Sequence, residues 1–415
     1  MTRDEGEQAD EIALSRRDFF RLAGATGAAA LLAKAGALAQ TTEPATQATQ
    51  PTQPSRPTVP TRPFGATGVR VPILSLGGMF NTMSGAIILR QAVRFGVTYW
   101  DTSAVYGGGR SERGIGQYLR RFADDREKVL LATKSPAGSV SGMQRHLEQS
   151  LERLGVESVD FFLMHGASDP DAFTSEVKSW VERMKKAGRF RLFGFSTHKN
   201  MPACLTAAAK LGWIDGAMTS YNVRLMQEAE MQRAVEACHK AGLGLTAMKT
   251  TARGPKLVES DAERQLVERF VDRGFTLYQA LLKAVWADER FASICSQMPN
   301  ITILMANAAA AMDKTSLTAG ERALLERYAA ETRHGWCSGC GACERATGRP
   351  VPDVMRCLMY RNDYGDVDLA RRTFADLPRA ARRGLTAADY SAAERACPNT
   401  LPIAELLREA EETLT

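Results

Sequence analysis

What the chain lacks narrows it first. No unbroken apolar run is long enough to cross a bilayer, because the most apolar stretch, from Phe19 to Ala39, is broken by Lys34. No Lys/Arg run is interleaved with aromatic residues, and the net charge of +6 is spread along the chain. Nucleic acid is therefore not an expected partner. No G-x-G-x-x-G run follows any strand candidate, which counts against a doubly wound dinucleotide-binding sheet. Residues 40–62 are Thr, Pro and Gln with almost no apolar side chain, too little to bury, and read as a tether. From about Phe64 onward the apolar content suffices for a large core.

What is present begins with cysteine. Cys337, Cys340 and Cys343 form a C-x2-C-x2-C run followed by Glu344-Arg345-Ala346, and then Thr347-Gly348 stands where a Cys-Pro ending would complete a ferredoxin-type motif. Fifty residues later Glu394-Arg395-Ala396-Cys397-Pro398 supplies that ending, with Ala387, Tyr390 and Ala393 at the three preceding cysteine positions. The repeated Glu-Arg-Ala triplets and the aligned Pro352 and Pro402 mark the two segments as one duplicated unit. In two-cluster ferredoxins the fourth cysteine of one run serves the other run's cluster. Loss of one cluster then predicts a single 4Fe–4S cluster on Cys337, Cys340, Cys343 and Cys397. Zinc and disulfides are the competing readings. Cys357 is the rival fourth ligand, but Val354–Tyr360 reads as an amphipathic helix that would pack its thiol in a core. Cys204, Cys238 and Cys295 lie in apolar stretches and read as buried thiols.

The first 39 residues read as a twin-arginine signal. Ser15-Arg16-Arg17-Asp18-Phe19-Phe20 precedes an Ala/Gly-rich run, and Ala37-Leu38-Ala39 offers a small-residue cleavage site. The expected location is the periplasm, reached through the Tat translocon, which exports folded proteins and so suits a chain whose cluster is inserted beforehand. No stable membrane span is expected.

Between residues 63 and 320, short apolar runs alternate with amphipathic helical stretches. Strand candidates are Ile73–Leu76, Val97–Asp101, Val129–Thr133, Val159–His165, Leu192–Ser196, Ala217–Tyr221 and Leu243–Met248, with the eighth at Ile294 or at Ile301–Leu304. Met143, Leu147, Leu151 and Leu154 have helical spacing, and Gly68 suggests a hairpin before the first strand. The expected fold is an α/β (β/α)8 TIM barrel followed, over residues 321–415, by a small, mainly helical iron–sulfur segment. Catalytic candidates sit at the C-terminal strand ends of such a barrel. Here these are Asp101, Lys134 and His165, with Tyr106 in the loop after the second strand. Singly, each has a plain structural reading as an ion pair, a loop aromatic or a barrel histidine. Together they suit acid/base work, in which an ammonium draws a tyrosine pKa toward the working range.

Asp101-Thr102-x-x-x-Tyr106-Gly107, Ser111-Glu112, Gly114-Ile115-Gly116, Lys134, His165, Gly194-Phe195-Ser196-Thr197 and Tyr221-Asn222 resemble the motifs of the aldo-keto reductase family. The likeness covers about Phe64 to Ala310, and the tail resembles a subgroup that appends a ferredoxin-like segment to this barrel. The resemblance implies a small carbonyl or alcohol substrate, Tyr106 as proton donor, and Asp101, Lys134 and His165 as its partners. It also implies NADP(H) across the rim, with Ser196 and Asn222 near the nicotinamide. Lys249 and Arg253, after the seventh strand, are the phosphate candidates, with solvated surface charge as an equal reading. Met218 and Thr197 depart from the family's glutamine and asparagine, and Ser293–Asn300 lacks the family's phosphate-gripping glycine and basic side chains. An external electron-transfer partner is the alternative route for electrons. An electron-transfer or binding protein on a barrel scaffold is the alternative function.

Overall fold

The computed structural model describes residues 57–136 and 138–415, so the expected signal peptide and the tether up to residue 56 lie outside the described residues. The chain enters through an antiparallel hairpin of β1 (Thr61–Pro63) and β2 (Arg70–Pro72), as Gly68 suggested. Gly68 takes the left-handed backbone the turn needs, at φ 72°. Phe64, between these strands, plugs the bottom of the barrel, its ring 5.4 Å from Phe161 and 6.4 Å from Tyr99 in edge-on contacts. A Cβ on Gly216 or Gly244 would strike that ring, so the two glycines make room for the plug.

Eight parallel strands then close on themselves: β3 (Leu74–Gly77), β4 (Tyr99–Asp101), β5 (Leu130–Ser135), β6 (Val159–Met164), β7 (Phe190–Thr197), β8 (Gly216–Ser220), β9 (Gly244–Met248) and β10 (Phe291–Gln297). The order follows the chain, and β10 pairs with β3 to seal the barrel. This is the expected (β/α)8 architecture. The interior is filled by Tyr99, Phe161, Leu163, Leu192 and Met218, all buried. Helices cover the outside. In Val140–Leu154 the spaced residues Met143, Leu147, Leu151 and Leu154 are all buried. Ser139 caps its start by accepting from Gly142 N, and Gly155 ends it in the left-handed region.

The eighth strand lies at Ile294 and not at Ile301–Leu304. Ile301 begins a helix, Ile301–Met312, because Asn300 accepts a hydrogen bond from Ile303 N and caps it. An apolar run of four residues does not by itself separate strand from helix.

The tail is helical, as expected, from Ala319–Glu331 through Ala342–Thr347, Val351–Asn362, Val367–Ala375 and Ser391–Ala396 to Ile403–Leu414. Each half-motif folds alike: a six-residue helix carrying Glu-Arg-Ala, then a proline at the start of a 12-residue helix. The tail shares one core with the barrel, and residues 59–415 form one compact unit. Close backbone approach fixes the joint. Gly339 has φ 69°, its carbonyl accepts from Asn200 N at 2.8 Å, and a Cβ there would stand 2.2 Å from the His198 carbonyl oxygen. Among the described residues no helix is long and apolar enough to cross a membrane.

Candidate active site

Asp101 ends β4, Lys134 stands near the end of β5, and His165 follows β6, so three successive strands deliver them to one rim. Tyr106 arrives from the β4 loop. The helix after that loop, Arg110–Arg121, is pinned to the barrel through its first turn. Ser111 Oγ donates to the Gly78 carbonyl and pairs with Thr102 Oγ1, each at 2.7 Å. Buried Glu112 accepts from Thr133 Oγ1 at 2.7 Å and Arg153 Nη1 at 3.1 Å. The Ser-Glu pair in the sequence therefore serves to hold the tyrosine loop in register.

The structure brings all four sequence candidates together. Lys134 Nζ donates to Asp101 Oδ2 at 2.6 Å, to the Thr102 carbonyl at 2.9 Å and to Tyr106 Oη at 3.3 Å. The Tyr106 and His165 rings meet edge-on at 5.6 Å. Two contributors were not singled out in the sequence. Ser103 Oγ lies 3.0 Å from His165 Nδ1 and fixes the ring, and the Cys295 thiol of β10 stands beside Asp101. Neither carries a motif; each is found only by strand order.

Burial governs the electrostatics. It holds Tyr106 above its usual value, against the pull of the Lys134 ammonium and with a further push from Asp101. Thus the phenol is protonated at rest, and the ammonium does not bring it into the neutral range as the sequence suggested. Burial works to lower Lys134, but Asp101 and Tyr106 outweigh it and keep the ammonium charged. Burial raises Asp101, with Lys134 opposing. Burial, then the charges of Lys134, Arg356 and Lys249, pull His165 down to about 3, leaving a neutral imidazole at working pH.

The four residues expected to touch a nicotinamide cofactor lie at the same end of the barrel. Ser196 Oγ accepts from Gly166 N at 3.0 Å. Asn222 Oδ1 accepts from Arg224 N and Leu225 N at 3.1 and 3.2 Å. Lys249 and Arg253 are both engaged by the tail. Lys249 Nζ donates to Tyr360 Oη at 3.1 Å, and Arg253 bonds Asp363 through N and Nε at 2.6 and 3.1 Å.

A cavity lies within the tail. Cys337, Cys340, Cys343 and Cys397 all line it, and no charged side chain does. Cys357 is buried on the helix Val351–Asn362 and does not line it. Cys204 and Cys238 are buried, as expected, while Cys295 is half-buried. Among the described residues, no group of three or more His, Cys, Asp or Glu is placed to hold a single metal ion.

A fold of this kind with this tetrad defines a class. The aldo/keto reductase family model matches residues 75–300, and the chain belongs to that family of oxidoreductases. An aldo-keto reductase of Fusarium vanettenii is 27% identical over 261 residues, covering 52% of this chain and 70% of that protein. An L-glyceraldehyde 3-phosphate reductase of Escherichia coli is 33% identical over 154 residues, covering 32% of this chain and 44% of that enzyme. The match spans less than half the length of several relatives. Among solved structures, a thermostable aldo-keto reductase in complex with the inhibitor epalrestat is 26% identical. It has a TM-score of 0.55 and covers 64% of this chain and 98% of its own.

Proposed function

We propose that this chain is an exported oxidoreductase that interconverts a small carbonyl compound and its alcohol with Tyr106 as acid/base. The observation that carries this reading is the Lys134 ammonium shared between Asp101 Oδ2 and Tyr106 Oη. Reduction of a carbonyl needs a hydride equivalent at carbon and a proton at oxygen, and these residues account for the second. The protonated Tyr106 phenol gives its hydrogen to the carbonyl oxygen as charge develops there. Lys134 then steadies the phenolate, and Asp101 holds Lys134 in place. In the tautomer whose Nδ1 accepts from Ser103, neutral His165 donates from Nε2 to the same oxygen. In the reverse direction the phenolate takes the alcohol proton. Tyr106→Phe is expected to lower kcat about 100- to 10,000-fold with the fold intact by circular dichroism. Unchanged turnover would sink the assignment.

A nicotinamide cofactor, when bound, would supply the hydride, with Ser196 and Asn222 at its reactive end. Its phosphates would meet Lys249 and Arg253 only if the tail gave way, since Tyr360 and Asp363 already hold them. That engagement favours the second reading, in which electrons arrive through a tail cluster from an external partner. Titration of the full chain with NADPH, followed by fluorescence, separates the two.

We infer further that Cys337, Cys340, Cys343 and Cys397 hold one 4Fe–4S cluster. The common cavity supports this, as does the matched folding of the two half-motifs. A zinc ion would draw its sulfurs to about 4 Å from one another, given Zn–S bonds of about 2.3 Å. Cys397→Ala is expected to remove the cluster and Cys357→Ala to keep it. Export through the twin-arginine route rests on Arg16-Arg17 and the following apolar run. Replacing both arginines by lysine should leave the protein in the cytoplasm; continued export would overturn this.

A further inference from the structure

We propose that the cavity between the barrel rim and the tail is a subsite for the carboxylate of a carbonyl substrate, with Lys249 and Arg356 as its cationic contacts. This rests on the oxidoreductase reading above and narrows its substrate to oxo acids. The cavity is lined by His198, Lys199 and Lys249 from the barrel and by Trp336, Asp353 and Arg356 from the tail, with Asp353 already paired to Lys199 and Arg356. Lys249 follows β9, His198 follows β7 and Ser220 ends β8, so the cavity lies over the C-terminal ends of the strands that form the rim.

The way the charges pair, and not their sum, points to an anion. Around the joint, Lys199 binds Glu344 and Asp353 at 3.0 and 3.2 Å, and Arg356 binds the other Asp353 oxygen at 3.1 Å, which is two cations against two carboxylates. Lys134 is matched by Asp101, and Arg253 stands between Asp363 and Glu263, so the carboxylates equal the cations in number once Lys249 is included. Lys249 donates to a neutral phenol, Tyr360 Oη, with its Nζ 4.6 Å from that ring's centre, and no carboxylate among the described residues pairs with it. A cation so enclosed gains from an anion entering beside it. Two further features mark the spot. Lys249 holds a left-handed backbone at φ 55°, a conformation a lysine adopts only where its surroundings impose it. His198 Nδ1 is buried without a hydrogen-bond partner. Trp336, Met355 and Met359 close the remaining sides, which suits a short acid and excludes a dinucleotide unless the helix Val351–Asn362 moves.

The test uses the full-length protein as purified, titrated calorimetrically with 2-oxobutyrate and with butanone, which differ by the carboxylate. The acid is expected to bind at least about 10-fold more tightly. Arg356→Gln and Lys249→Met should each weaken the acid about 10- to 100-fold and leave butanone unchanged, and Arg356→Lys should recover part of the loss. Thermal unfolding of each variant guards against misfolding. Equal affinity for the two compounds overturns the proposal, as does acid binding that survives Arg356→Gln. A Lys249→Met variant that loses NADPH and keeps the acid would give the lysine to a dinucleotide instead. Tyr106→Phe should keep acid binding while losing turnover. If it keeps turnover, the acid/base assignment fails while the subsite stands.

Discussion

Within the tetrad the buried charges of Lys134 and Asp101 arrive already matched, whereas in the tail four cysteines line a space that no charged side chain lines. Lys134 has its carboxylate, its carbonyl and its phenol in place before any ligand enters. The cysteine pocket has nothing comparable. Burial and the neighbouring Cys340 thiol push the Cys343 thiol up to about 11. The difference teaches that the tetrad is organised by the fold, while the tail leaves a space that the proposed cluster would complete. The cavity between rim and tail shares Cys337, Ser338, Pro352 and Met355 with the cysteine pocket as a common wall.

That contrast can be broken from either side. The largest effect is expected from emptying the cysteine pocket. Cys397→Ala should raise amide exchange sharply from Ala342 to Ile403 and leave strands β4 to β6 protected; uniform exchange throughout would erase the distinction. Next comes Lys134→Met, which strands the buried Asp101 carboxyl. Urea unfolding should show a loss of about 3–5 kcal/mol, partly restored by adding Asp101→Asn. Gly339→Ala probes the joint itself. Its Cβ would meet the His198 carbonyl and its φ would be strained, for a loss of about 1–3 kcal/mol. A loss of stability that is absent at neutral pH, and so ranks last there, comes from His165. His165 has its folded pKa depressed from 6.5 to about 3, so its contribution is fully present above pH 6.5 and is lost as pH falls toward 3. His165→Gln should flatten the acid side of the stability curve, measured by urea unfolding across that range.

Much of the rim was legible in the sequence. Asp101, Lys134 and His165 stand out because each closes an apolar run, and strand order then brings them together. The hairpin at Gly68 was visible for the same local reason. The state of Tyr106 was not, since the ammonium that lowers its pKa can be read from a motif, but the burial that outweighs it cannot. The eighth strand was ambiguous because Phe291–Gln297 and Ile301–Leu304 are both apolar, and only the Asn300 cap decides between them. Least legible was the docking of the tail on the rim. Lys249 and Tyr360 lie 111 residues apart, and Arg253 and Asp363 lie 110 apart. No period or motif joins such pairs. Arg356 was passed over for that reason, as a polar residue on an amphipathic helix.

The most direct test of the account is the iron and acid-labile sulfide content of the full-length protein, purified without oxygen and set beside its absorbance. A 4Fe–4S cluster held by the two half-motifs predicts about four irons and four sulfides per chain and a broad band near about 400 nm, lost in Cys397→Ala and kept in Cys357→Ala. One zinc per chain, or a cluster that survives Cys397→Ala, would contradict it.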